Sequence, residues 1–134
     1  MAIDLRNSSG ESIQISNGHW AVYLTLAEAF GWKPQGTSRP PSLPPDQPWS
    51  GQYASSDGQI VMDAEAKLLA QILHAAAVHP KIEMALTDVI ARIESQIESS
   101  GTAIPAQMRM TPNDFSKEFS PLLMFLYKGE FVIA

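Results

Sequence analysis

Apolar and polar residues alternate from the first positions of the chain. Ile3 and Leu5 flank Asp4, with Arg6 beyond, and Ile13 and Ile15 repeat the same period of two within Glu11–Ser16. That period places one set of side chains on one face of a strand. Between the two runs, Asn7-Ser8-Ser9-Gly10 supplies turn chemistry, so the segment predicts a β-hairpin. Two short strands are marginal alone and need a third strand or a helix to cover them.

The period then changes to that of a helix. From Ser16 to Gly31, Trp20, Leu24 and Ala27 form one stripe, while Val22, Leu26 and Phe30 lie on another side. A helix apolar around most of its circumference is buried, and this one is expected at the centre of the fold. Ser16 or Asn17 can cap its start, and Gly31 stands where a left-handed residue ends a helix.

Further along, Gln59 to Met62 reads as a brief extended run. Asp63 is then placed to cap a helix over about 64–78, with an apolar stripe of Leu68, Leu69, Ile72, Leu73 and Ala76, and Lys67, Gln71 and His74 opposite. Pro80 breaks that helix and suits the first turn of another, which runs to about Glu98. Its stripe is Ile82, Leu86, Val89, Ile90, Ile93 and Ile97, and Asp88 and Arg92 pair four apart on the wet side. An irregular connection leads to Thr111 as a cap, Pro112 in the first helical position and Asp114 three after the cap. Phe115, Phe119, Leu122, Leu123 and Leu126 face inward, and Pro121 is expected to kink or divide this helix, with Ser120 capping the second piece. Gly129 closes it, and the last residues read as a short strand.

The sum is an α+β domain, mostly helical. About four helices accompany a small antiparallel sheet made from the N-terminal hairpin and a C-terminal strand. Residues 1–134 form a single domain without an internal repeat, interrupted by a Pro-rich loop at about 32–56.

Composition narrows the function classes. The chain has 9 basic and 14 acidic residues for a formal charge of −5, and its cations are scattered singly. No basic patch exists through which counterion release could drive nucleic-acid binding. No apolar run approaches the roughly 18 residues of a membrane span, and the first ten residues have neither a basic head nor an apolar signal core. The expected address is cytoplasmic, without membrane association. With no cysteine, disulfides, thiolate nucleophiles and thiolate metal sites are excluded. Only 17% of residues are charged, which leaves a surface that tolerates contact with a protein partner or a second copy.

No residue pattern nominates a reaction centre. His74 and His79 are five apart across a proline, not three or four apart on one helical face as metal ligands would be. His79 sits at a helix junction, where an imidazole commonly satisfies a backbone carbonyl. No serine lies in a G-x-S-x-G elbow, and no glycine-rich phosphate loop occurs. Asp57, Gly58, Asp63 and Glu65 superficially resemble a calcium loop, but Ala64 stands where its final carboxylate belongs. No catalytic residue, metal site or cofactor is therefore expected.

The Pro-rich segment is the singular feature. Six of the ten prolines lie between Gly31 and Tyr53, with Trp32 and Trp49 inside the same stretch. As a ligand peptide, Pro41-x-x-Pro44 and Pro45-x-x-Pro48 would favour polyproline II, but Arg39 and Asp46 are misplaced to orient it. A slack linker would not carry Trp32, Trp49 and Tyr53 at its ends, because large aromatics act through burial. The expectation is a stiff arm pinned to the core by those rings, with a middle at about 38–46 that is freer. Its candidate binding residues are His19, Trp32, Lys33, Arg39, Trp49, Tyr53 and Asp57.

These residues also carry a resemblance. Asn17-Gly18-His19-Trp20, Gly31-Trp32-Lys33-Pro34-Gln35-Gly36-Thr37, Tyr53, Asp57-Gly58-Gln59-Ile60-Val61, Asp63-Ala64 and Leu69-Ala70 form a pattern over roughly residues 17 to 75. The pattern resembles that of a group of uncharacterised bacterial proteins. The resemblance implies a compact cytoplasmic domain and brings no activity with it.

Two functional expectations stand together. One is a non-enzymatic domain that binds a protein partner or itself. The other is a small-molecule binding protein or modest hydrolase, with a pocket between the central helix and the arm lined by His19, Trp32, Trp49 and Tyr53.

Overall fold

The alternation at Ile3, Leu5, Ile13 and Ile15 becomes a hairpin of β1 (Ala2–Asn7) and β2 (Ser12–Ser16), with Ile3 opposite Ile15 and Leu5 opposite Ile13. The structure is a computed structural model and describes residues 2–99 and 112–134. The other elements are α1 (Asn17–Ala29), β3 (Gln59–Val61), α2 (Asp63–Ala77), α3 (Ile82–Ser99), α4 (Pro112–Tyr127) and β4 (Phe131–Ile133). The fold is α+β, and the strands form one antiparallel sheet in the order β2-β1-β4-β3. The C-terminal strand joins the hairpin as expected, and the brief run at Gln59 adds a fourth strand beyond it.

Strand pairing sorts the residues onto two faces. Ile13, Leu5, Ile133 and Gln59 lie in one row across the sheet, as do Asn7, Phe131 and Val61. Most of these rows is buried against Trp20, Leu26, Leu69, Leu122 and Leu126. Trp20 and Phe125 both meet Phe131 edge-on, at 6.5 and 5.6 Å between ring centres. Each such large apolar side chain removed from water stabilises the fold by about 1.5–3 kcal/mol. The opposite row, Ser12, Arg6, Val132, Ile60 and Ser38, faces outward.

The central helix follows its sequence signals. Ser16 Oγ accepts from the His19 N–H at 3.1 Å, and Gly31 closes the far end with a φ of +102°. Trp20, Val22, Tyr23, Leu26 and Ala27 are all buried.

Four local expectations are corrected. Met62, still extended, is the residue that turns from strand to helix, so Asp63 is the first helical residue and pairs with Lys67 at 3.0 Å instead of capping. The buried stripe of α2 is Ala66, Leu69, Ala70, Leu73 and Ala76, while Leu68, one residue and about 100° of helix from Leu69, is 39% exposed. Pro121 does not divide α4, which runs as one helix from Pro112 to Tyr127. The proline is exposed beside β2, near Ile13 and Ile15, and the helix continues past it despite the loss of one N–H donor. His79 uses Nδ1 to accept from the Lys81 N–H at 3.0 Å and packs edge-on against Phe30, so it serves a backbone donor and not a carbonyl. The Asp88–Arg92 pair forms as expected. The Thr111 cap, the connection before it and the side chains of Ile97 and Asp114 lie outside the described residues. Among the described residues, no helix is long and apolar enough to cross a membrane.

Candidate functional site

The arm is built from its two limbs inward. Where α1 ends, the Trp32 N–H donates to the Ala27 carbonyl at 2.9 Å, and the indole folds back until only 3% of the residue is exposed. Its ring meets Tyr53 edge-on at 5.0 Å. Tyr53 in turn donates its hydroxyl to the Gly36 carbonyl at 3.1 Å, and its own carbonyl accepts from Trp20 Nε1 at 2.8 Å. Burial pushes the Tyr53 phenol up to about 12, with the Glu65 carboxylate adding to the effect and the bond to Gly36 opposing it.

The two limbs are then stitched together. Thr37 donates its N–H to Gly51 O at 3.0 Å and its hydroxyl to Gln52 O at 2.9 Å, while Trp49 Nε1 donates to Thr37 O at 3.1 Å. This crossing requires glycine. Gly36 and Gly51 hold φ values of +100° and +76°, and a Cβ on Gly51 would stand 3.3 Å from Gly36 Cα. Ser38 completes the ascending limb by exchanging backbone bonds with Ile60 at the outer edge of β3.

Below the descending limb, Gln59 organises the approach to β3. Although wholly buried, its carboxamide is fully used: Nε2 donates to Ser55 O at 2.6 Å and Gln52 O at 3.2 Å, and Oε1 accepts from the Asp57 N–H at 2.9 Å. A buried amide in that position fixes the loop 52–57 by satisfying backbone groups that no strand reaches.

The tip is not polyproline II. Leu43 N–H bonds to Pro40 O at 3.1 Å, and Gln47 N–H bonds to Pro44 O at 3.0 Å. These are two consecutive β-turns, and each carries proline at its second position, Pro41 and Pro45, where a φ near −65° is needed. The sequence repeats at this scale, as Pro40-Pro41-Ser42-Leu43 and Pro44-Pro45-Asp46-Gln47. The Arg39 guanidinium bonds to Pro44 O and ties one turn to the other. Pro41, Ser42 and the whole run Pro44 to Pro48 are exposed.

A second cluster lies between α1 and α4. Glu118 accepts from His19 Nδ1 at 3.1 Å and from the Tyr23 hydroxyl at 2.9 Å. A carboxylate opposite Nδ1 fixes that nitrogen as the protonated one. Tyr23 also packs on Phe115 and Phe119, with ring centres 6.0 and 6.4 Å apart. Because His19 and Tyr23 are one turn apart on α1, a single acid ties two turns of that helix to α4.

The seven candidate binding residues thus fall into separate places. Trp32 and Tyr53 are buried framework of the arm, Trp49 is half-buried across its crossing, and Arg39 is half-buried behind its tip. Lys33 and Asp57 are exposed at its two ends. His19 turns toward Glu118, while its neighbour Trp20 reaches the arm. Glu118 and Gln59 were missed, and each had a signal. Glu118 stands among Phe115, Phe119 and Leu122 at helical spacing, an acid inside an apolar stripe. Gln59 shares the inward parity of Val61. Among the described residues, no three His, Asp or Glu side chains gather closely enough to hold a metal ion.

Compared with protein-family models, with curated proteins and with solved structures, the chain has no significant match. Trp20, Trp32, Thr37, Tyr53 and Gln59, with the crossing at Gly36 and Gly51, build the frame of the arm.

Proposed function

We propose that this chain is a non-enzymatic partner-binding domain that presents the tip of the Pro-rich arm to another protein. One observation carries the reading: both limbs are fixed to the core by buried aromatics and stitched to each other, while Pro41, Ser42 and Pro44 to Pro48 stand in solvent. A loop whose turns are already set by proline loses little freedom on binding, and that preorganisation raises affinity without new contacts. The placement of His19 against Glu118, away from the arm, supports this reading over a small-molecule pocket shared by His19 and the arm's rings. A cytoplasmic, bacterial setting belongs to the same proposal.

The test uses the two tip side chains Ser42 and Gln47, neither of which supports the turns. The wild-type chain and the double variant Ser42→Arg, Gln47→Arg are used as bait in native lysate. Proteins enriched by the wild type are expected to fall at least about tenfold with the variant at an unchanged melting temperature. Equal enrichment by both chains, or none by either, overturns the proposal.

A further inference from the structure

The sheet has two edges, and the molecule treats them differently. At β3 the arm closes the edge, because Ser38 and Ile60 exchange both backbone bonds at 2.8 and 3.3 Å. At the other edge, β2 pairs with β1 alone among the described residues. Asp4 exchanges both its backbone bonds with Ala134, at 3.2 and 2.8 Å, so its N–H and C=O point to the β4 side. Gln14, directly opposite Asp4, therefore turns its own N–H and C=O away from β1 and into solvent.

Open edges are normally blunted with lysine, proline, a bulge or a covering segment. Ser12-Ile13-Gln14-Ile15-Ser16 has none of the residues that would do so. The chain carries a net charge of −5, yet this strand has no charge at all, and Glu11 at its head is paired with Lys128. Two acidic copies can approach each other here without repulsion along the strand.

The strand also reads the same in both directions. Antiparallel pairing with a second copy, about a two-fold axis at Gln14, sets Gln14 opposite Gln14, Ile13 opposite Ile15 and Ser12 opposite Ser16. Opposed residues share a face, so all four isoleucines point to the helix side. There a groove of about 280 Å³ lies between β2 and one turn of α4, lined by Ile13, Gln14, Ile15, Glu118, Pro121 and Leu122. In that pairing it lies beside the isoleucines of the added strand.

We propose that β2 is a homodimerisation edge, which joins two four-stranded sheets into one continuous antiparallel sheet about Gln14. The interface is isologous, each copy giving and receiving the same bonds. It leaves the arms at the two outer ends, on the order of 40 Å apart at ordinary strand spacing. It does not depend on what the arms bind.

The absence of cysteine makes the test clean. Light scattering at roughly 100 µM is expected to give about twice the chain mass of 14.6 kDa for the wild type, and a single chain mass for Gln14→Lys, which sets like charges face to face. Circular dichroism confirms that the lysine variant is folded. In a second measurement, Gln14→Cys is expected to cross-link to a covalent dimer on mild oxidation, because facing Cα atoms of a bonded strand pair lie about 5.5 Å apart, within disulfide reach. Ser8→Cys, on the exposed hairpin turn, is expected to remain uncross-linked under the same conditions. A wild-type chain monomeric throughout, or a dimer that survives Gln14→Lys and fails to cross-link through Gln14→Cys, overturns the proposal. Capture of a foreign strand by a monomeric chain overturns it as well.

Discussion

Trp20 Nε1 donates to the Tyr53 carbonyl at 2.8 Å, so the central helix holds the far end of the arm through a single buried hydrogen bond. Trp20→Phe keeps an aromatic ring against Phe131 but removes that donor. A buried carbonyl left unpaired costs about 1–3 kcal/mol, and urea unfolding is expected to show a loss in this range. Amide exchange over residues 51–53 should accelerate more than exchange in β1. Unchanged protection there means that Trp20 does not fasten the arm.

Gln59 gives a sharper case, because it is wholly buried and three backbone groups depend on its carboxamide. Gln59→Leu is close in volume and more apolar, so burial alone would favour it. The unpaired Ser55, Gln52 and Asp57 groups outweigh that gain, and a net loss of about 3 kcal/mol is expected in the unfolding free energy from urea titration. A variant as stable as the wild type would mean that water satisfies those groups equally well.

These two residues also mark where the sequence is readable. The hairpin, the central helix and the place of the C-terminal strand beside the hairpin were legible because a one-sided sheet imposes a strict period of two, and because Ser16 and Gly31 punctuate α1 by local chemistry. The aromatic anchoring of the arm was legible for a similar reason, since Trp32 and Tyr53 have no other way to leave water. The partnership of His19 with Glu118 was not, because the two are 99 residues apart and only the packing of α4 brings them together. Leu68 was misplaced because a stripe on a helix can be read one position too wide, and the packing of α2 against both α4 and α1 decides which rows are covered. The tandem turns at the tip were written in the doublets Pro40-Pro41 and Pro44-Pro45, but the P-x-x-P spacing overlays the same residues and suggests a different backbone.

Close backbone approach at the base of the arm makes a prediction about glycine. Gly10 and Gly51 both adopt positive φ, but a Cβ on Gly10 meets nothing within 4 Å, whereas one on Gly51 meets Gly36 Cα at 3.3 Å. Gly10→Ala should therefore cost only the left-handed penalty of about 1–2 kcal/mol. Gly51→Ala should cost roughly 1 kcal/mol more, because the opposing atom is backbone and cannot rotate aside. Equal midpoints for the two variants would show that the limbs can separate without loss.

The phenol of Tyr53 makes the fold sensitive to alkali in a defined window. Its folded pKa of about 12 lies above the ordinary tyrosine value of 10.0, so the folded protein favours the neutral form. That preference contributes fully below pH 10 and is lost as the pH rises from about 10 to 12, because the unfolded chain releases its proton first. Two units of difference correspond to roughly 2–3 kcal/mol across the window. Tyr53→Phe has no proton to release and gives up the bond to Gly36, so it is less stable at pH 8. It should nevertheless lose less on moving to pH 11.5, and the gap between the two urea midpoints should narrow. Phenolate absorbance at 295 nm, taken as the difference between wild type and variant, should stay flat through pH 10. A rise centred there would mean that the ring is reached by water and that the arm does not seal it.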